Sequence, residues 1–353
     1  MPKRILFFFG TRPEAIKLAS VIRLAYGSRK LDPTICLSGQ HADLVDSVLD
    51  TFEIIPTYDL GAMVPNQTLD SLTSRMLRKA EAILDLEKPE WIIVQGDASS
   101  AFVGALAGFY HHIKIAHVEA GLRTNKLTEP FPEEMNRRFI DHVSDVLFAP
   151  TEAAKWNLRR ENVAGEIIVT GNTGVDAVRL IDVKEELKQR KYILVEVHRR
   201  ENFGPRLEEI CAAIKELSKE VPIKFVVHPN PHVKEPVQEM LGNESGIELL
   251  PPQGYPEMLH LLKNARLIMT DSGGLQEDAA ELHTPAIILR ELTERIENLL
   301  TSAFSAGCKK ESILRVTREL LHNSSLYASA VSYPNPYGDG KASKRIIRYF
   351  EML

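Results

Sequence analysis

The stretch Ile5-Leu6-Phe7-Phe8-Phe9-Gly10-Thr11-Arg12-Pro13-Glu14 contains the structural unit from which the whole chain is built. Its apolar run is typical of a strand that is buried on both faces of a parallel sheet. Gly10 permits a sharp exit from that strand, and Pro13 suits the first turn of a helix. The amphipathic segment 13–26 continues as that helix. The stretch therefore predicts a strand, a tight turn and a helix, which is the unit of α/β folds.

The same alternation of short apolar runs and longer amphipathic segments continues along all 353 residues. A second clear helical segment lies at 69–86. Alternation of this kind predicts parallel sheets with helices on both faces. The predicted strands are residues 5–9, 34–37, 91–94, 113–117, 146–149 and 167–170 in the first half, and 192–197, 224–227, 247–250, 267–270 and 286–289 in the second half.

Two series of strands predict an α/β protein with two Rossmann-like, doubly wound domains that face a cleft. The length agrees, because domains of about 150 residues would give roughly two in this chain. A hydrophobic content of 44% is enough to fill two cores. The charged stretch 182–191 lies between the two series and predicts domains at 1–181 and 182–353. The last helix, near 341–353, is a further candidate to pack back on the first domain.

The charge and cysteine content exclude several classes of protein. Lys and Arg number 43 against 48 Asp and Glu, a net charge of −5, and no basic run is visible, so no nucleic-acid partner is predicted. Cys36, Cys211 and Cys308 lie far apart and outside Cys-x-x-Cys or Cys/His spacing, which argues against a disulfide scaffold and against structural zinc. This usage fits a reducing cytoplasm.

Export and membrane insertion are not predicted either. The apolar run at 5–9 ends at Gly10, short of the roughly 7 residues that a signal-peptide core needs. No other stretch approaches the roughly 20 apolar residues of a membrane span. The sequence thus predicts a cytoplasmic protein without a membrane partner.

Residues just after the predicted strands are the first candidates for function, because ligands bind at the carboxyl ends of strands in such sheets. Arg12 and Lys17, beside the start of the first helix, form a candidate anion site. The turn Gly10-Thr11-Arg12-Pro13-Glu14 is neither Gly-x-Gly-x-x-Gly nor a P-loop, so it carries no NAD or ATP fingerprint. An ordinary strand-to-helix turn with solvated charges is an equal alternative.

Carboxylates follow two more strands of the first half. Asp97 and Glu119 are well placed for general acid and base work, since burial can raise a carboxyl pKa toward neutrality. In the plainer alternative, Asp97 caps a helix and Glu119 pairs with Arg123. Glu133 and Glu134 lie in the first turn of a further helix, where the helix dipole alone favours acidic residues.

The second half offers cations and small residues at its strand ends. The run His198-Arg199-Arg200 predicts a local cationic site, with a solvated loop as the alternative. His228 is interpreted as structural or peripheral, and Arg290 and Arg295 add positive charge. The strongest feature is Thr270-Asp271-Ser272-Gly273-Gly274-Leu275-Gln276-Glu277-Asp278, whose small residues leave backbone N–H groups free to hold a phosphate. An acid one turn later can accept ribose hydroxyls, so the stretch is similar to a nucleotide-sugar cradle; a plain Gly-Gly turn is the alternative.

These motifs occur in the order seen in a known enzyme family, and together they cover nearly the whole chain. The sequence resembles the non-hydrolysing UDP-N-acetylglucosamine 2-epimerases. The resemblance implies a glycosyltransferase-B-like fold, a homodimer, and interconversion of UDP-GlcNAc and UDP-ManNAc for surface polysaccharide synthesis. The motifs are Gly10-Thr11-Arg12-Pro13-Glu14, Gly39-Gln40-His41, Gln95-Gly96-Asp97, 117–124, 130–137, 198–202, 271–277 and 335–340.

The resemblance also implies roles for individual residues. The positions similar to the family's catalytic groups are Asp97, Glu119, Glu133 and, on the diphosphate side, His198. The positions similar to UDP or substrate contacts are Arg12, Lys17, Arg137, Ser272, Gly273, Gly274, Glu277, Asp278 and Arg295. At Asp278, the expected ribose contact, Glu is usual in the family, so the side chain here is one methylene shorter.

The implied chemistry explains why these residue types are needed. The hydrogen on C2 of the sugar is not acidic, since no carbonyl neighbours it. In this family UDP is expelled from C1 as the C2 proton leaves, which gives a 2-acetamidoglucal; UDP then adds back while C2 is reprotonated on the other face. Such a route needs carboxylates near both faces and cations that stabilise the diphosphate. No NAD, pyridoxal or metal site is visible in the sequence, as expected for a reaction without net redox change.

Several bacterial relatives also bind a second UDP-GlcNAc as an activator. The residues in or near the corresponding motifs are Gln40, His41, Glu134, Arg199 and His228. Asp43 and Asn66 stand where Gln and Arg are expected in activated relatives. These two departures lead to the hypothesis that activation is weakened or lost in this chain.

Other departures from the family keep the substrate open. Ala98 and Glu196 stand where Thr is usual, and Ile296 replaces a Pro. On a strand, Glu196 points to the same face as His198, where it can pair with that histidine or oppose the diphosphate. Two alternatives therefore stand beside UDP-GlcNAc 2-epimerisation: 2-epimerisation of a modified UDP-sugar such as a diacetamido-uronate, and a glycosyltransferase or nucleotide-sugar-binding protein.

Overall fold

The computed structural model describes residues 1–39, 42–64, 67–183 and 190–353, and of residues 42–44 it describes the backbone alone. The chain divides into two compact units. Unit 1 comprises Met1–Leu180 with Tyr337–Leu353, and unit 2 comprises Ile181–Pro336. Each unit has its own parallel sheet.

Strands and helices alternate along the described chain. The strands are β1 Lys3–Phe9, β2 Leu31–Leu37, β3 Tyr58–Asp59, β4 Trp91–Gln95, β5 Lys114–Val118, β6 Val146–Ala149, β7 Glu166–Val169, β8 Ile193–Val197, β9 Ile223–Val227, β10 Ile247–Leu250, β11 Leu267–Thr270, β12 Ala286–Ile288 and β13 Ala303–Ser305. The helices are α1 Arg12–Tyr26, α2 Ala42–Phe52, α3 Leu69–Glu87, α4 Ser99–Tyr110, α5 Glu133–Val143, α6 Glu152–Arg160, α7 Thr173–Leu180, α8 Pro205–Leu217, α9 Pro231–Leu241, α10 Tyr255–Asn264, α11 Gly273–Glu281, α12 Lys310–His322, α13 Ser324–Ser332 and α14 Ala342–Met352. A short 3-10 turn, Arg200–Asn202, follows β8.

The sheet of unit 1 runs in the order β3-β2-β1-β4-β5-β6-β7. Its strands β4 and β6 are buried along their whole length, as expected where helices cover both faces. The last helix, α14, packs on α1 and α7 of the same unit. Asp176 accepts hydrogen bonds from the backbone N–H groups of Ala342 (3.1 Å) and Ser343 (2.9 Å), which satisfies the start of that helix. Phe350 of α14 lies edge-on to Trp91 at a ring distance of 5.3 Å.

The sheet of unit 2 runs in the order β10-β9-β8-β11-β12-β13. Its core lies between this sheet and helices α8, α9 and α12, with Ile193, Val195 and Leu267 among the buried strand residues. This is the strand order of a doubly wound dinucleotide-binding sheet.

The predicted α/β class with two doubly wound sheets is confirmed, and each strand expected from an apolar run is present. Two strands were not predicted, β3 and β13. Both lie at a sheet edge and are two or three residues long, too short to give an apolar run. Among the described helices, none combines the length and the apolar character that crossing a bilayer requires.

The strand order fixes where functional groups can meet. In unit 1 the order reverses between β1 and β4, and in unit 2 it reverses between β8 and β11. At such a reversal the following helices diverge to opposite faces, which leaves a crevice at the carboxyl ends of the two strands. The loops after these strands are therefore the first places to look for a site.

Candidate functional site

The loop after β1 is fixed by a buried carboxyl group, Glu14. Its Oε2 accepts hydrogen bonds from the backbone N–H of Gly10 (3.1 Å) and Thr11 (2.8 Å), and the hydroxyl of Ser100 donates to Oε1 at 2.7 Å. Burial raises the pKa of Glu14 to about 7, against the lowering effect of the Ser100 and Thr11 hydrogen bonds. The carboxyl group of Glu14 thus holds the turn that precedes Arg12.

Glu119, at the end of β5, pairs with a cation from α1. Its Oε1 lies 2.5 Å from Nζ of Lys17, and the side-chain amide of Gln95 donates to its Oε2. Both charged side chains are 7% exposed, so the pair is shielded from water. Glu119 also has a φ of +71°, in the left-handed region that favours glycine. A strained backbone at a buried charge is a common mark of a functional position.

Asp97, after β4, pairs with Arg137 of α5 through its Oδ2. Asn136, the neighbour of Arg137 on that helix, donates to the backbone carbonyl of Asp97 at 2.8 Å. The Asp97 side chain is 29% exposed and Arg137 only 3%, so the carboxylate is the more accessible partner. Each of the two strand-end acids, Asp97 and Glu119, thus has a basic side chain as its neighbour.

The plainer alternatives for these two acids are wrong. Ala98, and not Asp97, is the N-cap residue of α4. Arg123 pairs with Asp141 and Glu161, both at 2.6 Å, and not with Glu119. Local spacing therefore failed to predict either partner.

Glu133 and Glu134 begin α5, as the sequence predicts, but their surroundings differ. Glu133 is half-buried, whereas Glu134 is fully buried. Glu134 accepts hydrogen bonds from the backbone N–H of Thr124 (3.0 Å) and Asn125 (3.2 Å) and from the guanidinium of Arg138 (3.1 Å). Its carboxylate thus holds the turn at Thr124 against α5.

A buried network that the sequence reasoning missed supports the same strand ends. His117 of β5 contacts Asp141 Oδ1 through Nδ1 (2.7 Å) and the carbonyl of Gly96 through Nε2 (2.8 Å). Burial raises the pKa of Asp141, but His117 and Arg123 outweigh burial, and the pKa lies below its usual range. Because Glu134, Arg137 and Asp141 all face inward from α5, their helical spacing was the signal that could have revealed this network.

In unit 2 the carboxylate of Asp271 holds the loop after β8 in place by hydrogen bonds. Its carboxylate accepts hydrogen bonds from the backbone N–H of His198 (3.1 Å) and Arg199 (3.0 Å) and from the side-chain amide of Asn202 (2.8 Å). Asp271 is fully buried, and burial raises its pKa. The sequence places Asp271 in the predicted nucleotide motif but does not predict these hydrogen bonds to the loop after β8.

The side chain of His198 pairs with Glu196, which settles one of the two alternatives for that unusual acid. Glu196 Oε1 lies 2.7 Å from Nδ1 of the ring, and the hydroxyl of Thr270 donates to Oε2 at 3.3 Å. His228 stacks on His198 with ring centroids 5.8 Å apart. Within the described residues, Glu196, His198 and Asp271 are the one group of His, Cys, Asp and Glu whose candidate ligand atoms come within 4.8 Å of one another. They hydrogen-bond mainly to each other and to backbone, which is the arrangement of an ion-pair network.

The predicted phosphate cradle is the start of α11. Ser272 caps this helix, and its hydroxyl accepts a hydrogen bond from the backbone N–H of Leu275 at 3.4 Å. A methyl group added to Gly273 would lie 2.9 Å from Cζ of Arg295, so a larger residue there would displace that guanidinium from its place beside the helix start. Gly274 is the next residue of the helix. A helix N-terminus with a guanidinium beside it is suited to a phosphate.

Acidic residues hold Arg295 in that place. Its Nε donates to Glu277 Oε1 at 2.8 Å, and its Nη1 pairs with Glu294. Glu294 also accepts from the buried Arg290 at 3.1 Å. Asp278, one residue after Glu277, accepts a hydrogen bond from the hydroxyl of Tyr255 at 3.3 Å, a contact that sequence reasoning missed.

The residues proposed for an activator site fall into two groups. Arg199 has its Nη2 3.9 Å from Glu294, and Nδ1 of His228 accepts a hydrogen bond from the backbone N–H of Asn230 at 3.2 Å. Gln40, His41, Asn66 and the side chain of Asp43 lie outside the described residues. Arg199 and His228 thus both lie beside His198 in unit 2, and Glu134 belongs to unit 1.

The chain is similar to proteins of known kind over its full length. A family model described as UDP-N-acetylglucosamine 2-epimerase matches residues 25–351. A UDP-N-acetylglucosamine 2-epimerase of Salmonella borreze is 41% identical over 372 residues, 99% of this chain and 98% of that protein. The crystal structure of UDP-GlcNAc 2-epimerase from Neisseria meningitidis bound to UDP-GlcNAc is 36% identical with a TM-score of 0.94, and covers 99% of this chain and 100% of that one. The Methanocaldococcus jannaschii UDP-GlcNAc 2-epimerase in complex with UDP-GlcNAc and UDP is 35% identical with a TM-score of 0.90, at 99% and 100% coverage. These similarities confirm the predicted glycosyltransferase-B-like fold class.

Proposed function

Because the chain belongs to the UDP-N-acetylglucosamine 2-epimerase family, we propose that it interconverts UDP-GlcNAc and UDP-ManNAc by inverting C2 of the sugar. The substrate is that of the Neisseria and Methanocaldococcus proteins, which are described with UDP-GlcNAc bound. The observation that carries the proposal is the pairing of Asp97 with Arg137 and of Glu119 with Lys17 at adjacent strand ends. Carboxyl groups at such positions are suited to moving a proton on and off carbon.

The proposed reaction is an elimination followed by an addition. A carboxylate takes the proton from C2, the C–H electron pair forms a C1–C2 double bond, and the C1–O bond breaks with its electrons on UDP. The intermediate is a 2-acetamidoglucal. A phosphate oxygen of UDP then attacks C1, and C2 receives a proton on the opposite face. No electrons are gained or lost overall.

The proposal assigns acid–base chemistry and diphosphate binding to different residues. Asp97, Glu119 and Glu133 are the acid and base groups, and which of them serves which face is left open. Ser272, Gly273 and Gly274 bind the diphosphate at the start of α11, where N–H groups are unsatisfied by the helix. The further UDP and substrate contacts are Arg12, Lys17, Arg137, Glu277, Asp278, Arg295 and, on the diphosphate, His198.

The decisive experiment is turnover of UDP-GlcNAc in deuterated water. An epimerase that removes the C2 proton returns one solvent deuteron at C2, so the recovered UDP-sugars gain one mass unit and UDP-ManNAc appears. Glu133→Gln should slow the appearance of both signals by about 100-fold or more. Glu81→Gln, which removes an exposed carboxylate elsewhere in unit 1, should leave both unchanged.

Other outcomes would point to the other functions. Unchanged UDP-GlcNAc without deuterium would contradict epimerisation of this sugar. Exchange seen only with a diacetamido-uronate would indicate the modified-sugar epimerase. Free ManNAc with UDP would indicate a hydrolysing enzyme, and transfer of the sugar to an acceptor would indicate a glycosyltransferase.

We also propose a homodimer, which the family resemblance supports, and lost or weakened activation by UDP-GlcNAc, which the departures from the family at Asp43 and Asn66 support. Light scattering should give twice the mass of one chain. Kinetics that start from UDP-ManNAc alone should show full activity without a lag. A requirement for added UDP-GlcNAc would contradict the second expectation.

A further inference from the structure

Glu196 is an unusual charge to find inside a sheet. It lies in β8, between Val226 of β9 and Thr270 of β11, and only 9% of the residue is exposed. A carboxylate in such a place is costly unless other groups compensate its charge. The compensating groups therefore indicate why the charge is present.

One carboxylate oxygen of Glu196 faces the ring of His198. Nδ1 of the ring lies 2.7 Å from Oε1, and 3.6 Å from Oδ1 of Asp271. Because ionised carboxylates only accept hydrogen bonds, the ring must carry its proton on Nδ1. No described residue hydrogen-bonds to Nε2. The His198 side chain is 33% exposed, so Nε2 is the ring nitrogen left for a ligand.

The other oxygen of Glu196 is linked to the start of α11. The hydroxyl of Thr270 accepts a hydrogen bond from the backbone N–H of Ser272 (3.0 Å), so its own proton goes to Oε2 of Glu196 (3.3 Å). One carboxylate thus connects the His198 ring to the first residues of the proposed phosphate cradle.

The charges around the ring favour its protonated form. Glu196 on its own strand and Asp271 at the end of β11 are negative; Arg199 beside it and His228 at the end of β9 oppose them. Burial lowers the pKa of His198, but the two carboxylates outweigh burial and leave it above the usual value. The pKa of Glu196 is lowered, since burial raises it less than His198 and His228 depress it.

We propose that Glu196 is a positioning residue that holds His198 as an imidazolium with Nε2–H directed to an anionic ligand, the diphosphate of the UDP leaving group. The proposal rests on the proposed function. It explains why a carboxylate can stand beside a diphosphate site: with His198 protonated, the pair is neutral overall, and its outward side is a hydrogen-bond donor. A neutral His198 with Nδ1–H would present a lone pair on Nε2 and repel a phosphate oxygen.

The first arm of the test needs no substrate. In protein with 15N-labelled histidines, the ring signals of His198 are identified among the 11 histidines by their loss in His198→Asn. Their titration gives the pKa directly. Glu196→Gln should lower that pKa by about 1 or more, because one adjacent charge moves a pKa by roughly 1–3. Glu196→Asp, which keeps the charge, should restore part of the difference.

The second arm measures turnover against pH. If the imidazolium is required, kcat/KM, which reports the pKa values of the free enzyme, falls at high pH as His198 loses its proton, and Glu196→Gln should move that fall to lower pH by the same amount. At a pH above the His198 pKa of both proteins, kcat/KM should be about 10-fold lower for each pH unit by which the profile moves. Glu248→Gln is the matched control: the same change on a strand of the same sheet, at a half-exposed carboxylate paired with Lys224.

Each result decides the proposal. A parallel shift of the His198 titration and the pH profile supports it. An active enzyme whose His198 titration is unchanged in Glu196→Gln overturns it, and so does a shifted titration with an unchanged pH profile. If the wild-type protein takes up no deuterium from water, the proposed function fails instead, and the statement about turnover fails with it.

Discussion

Unit 1 and unit 2 both place charged groups at the carboxyl ends of central strands, but they fix them by different means. In unit 1, the carboxylates of Glu119 and Asp97 meet cations that project from helices, Lys17 of α1 and Arg137 of α5. In unit 2, the carboxylate of Asp271 accepts backbone N–H groups and thereby holds the whole loop that carries His198. The first arrangement joins side chains, and the second joins a side chain to the backbone.

Because of this difference, the two arrangements should respond differently to a substitution. A side-chain pair in unit 1 can lose its charge while the strand and the helix stay in place. The loop of unit 2 depends on one carboxylate, so a change there alters the position of several groups together. We therefore expect substitutions of the strand-end acids of unit 1 to affect chemistry, and substitutions of Asp271 and of the phosphate cradle in unit 2 to affect local stability and binding.

The largest expected effect is on turnover, in unit 1. Asp97→Asn, Glu119→Gln and Glu133→Gln should each lower kcat by about 100-fold or more, since a general acid or base contributes roughly 100- to 10,000-fold. The affinity for UDP, measured by calorimetry, should stay within a few-fold of wild type. Near-normal rates in all three variants would remove these residues from the chemistry and break the comparison.

The next effect is on stability, in unit 2. Asp271→Asn replaces one carboxylate oxygen, which accepts hydrogen bonds, by an NH2 group that faces other N–H donors. We therefore expect the free energy of unfolding of unit 2 to fall by about 3 kcal/mol. Hydrogen exchange of the β8 and β11 amides should accelerate. Both tryptophans, Trp91 and Trp156, lie in unit 1, so the fluorescence-detected unfolding of that unit serves as the internal reference. Unchanged exchange in unit 2 would show that Asp271 does not hold the loop.

The third effect concerns the pH dependence of unit 1. The folded pKa of Glu14, about 7, lies above the usual 4.5, so the protonated carboxyl stabilises the fold below pH 4.5 and that contribution is lost as pH rises through 7. Between pH 5 and pH 8 the free energy of unfolding should fall by about 2 kcal/mol for this reason. In Glu14→Gln this part of the pH dependence should vanish from the tryptophan-detected unfolding. Parallel curves for variant and wild type would contradict the assignment.

The smallest expected effect is on nucleotide affinity, in unit 2. Arg295→Ala should weaken UDP binding by about 10-fold, because a hydrogen bond to a charged group is worth roughly 1.5–3 kcal/mol. Arg295→Lys keeps the charge and should recover part of the loss. If kcat fell while the affinity for UDP stayed at the wild-type value, the division between chemistry and binding would fail at this residue.

The parts of the molecule that the sequence predicted are those with a local pattern. The buried strands follow from apolar runs, and the position of Asp97 and Glu119 follows from where those runs end. Their partners do not follow, because Lys17 is 102 positions from Glu119 and Arg137 is 40 positions from Asp97. Such pairs form only when strands and helices assemble.

The alternative that Glu119 pairs with Arg123 is wrong for the same reason. A pairing of Glu119 with Arg123 assumes that the chain between them continues regularly. Glu119 instead adopts a left-handed backbone, and the Arg123 guanidinium lies against Asp141 of α5. Only the charged positions of α5 that share one helical face gave a sequence signal for that contact.

The docking of α14 has a consequence for how the protein is made. Unit 2 is one uninterrupted segment, whereas unit 1 needs Tyr337–Leu353 to complete its packing around α1. Unit 1 can therefore complete its native packing only when residues 337–353 are available, although all strands of its sheet lie before residue 170.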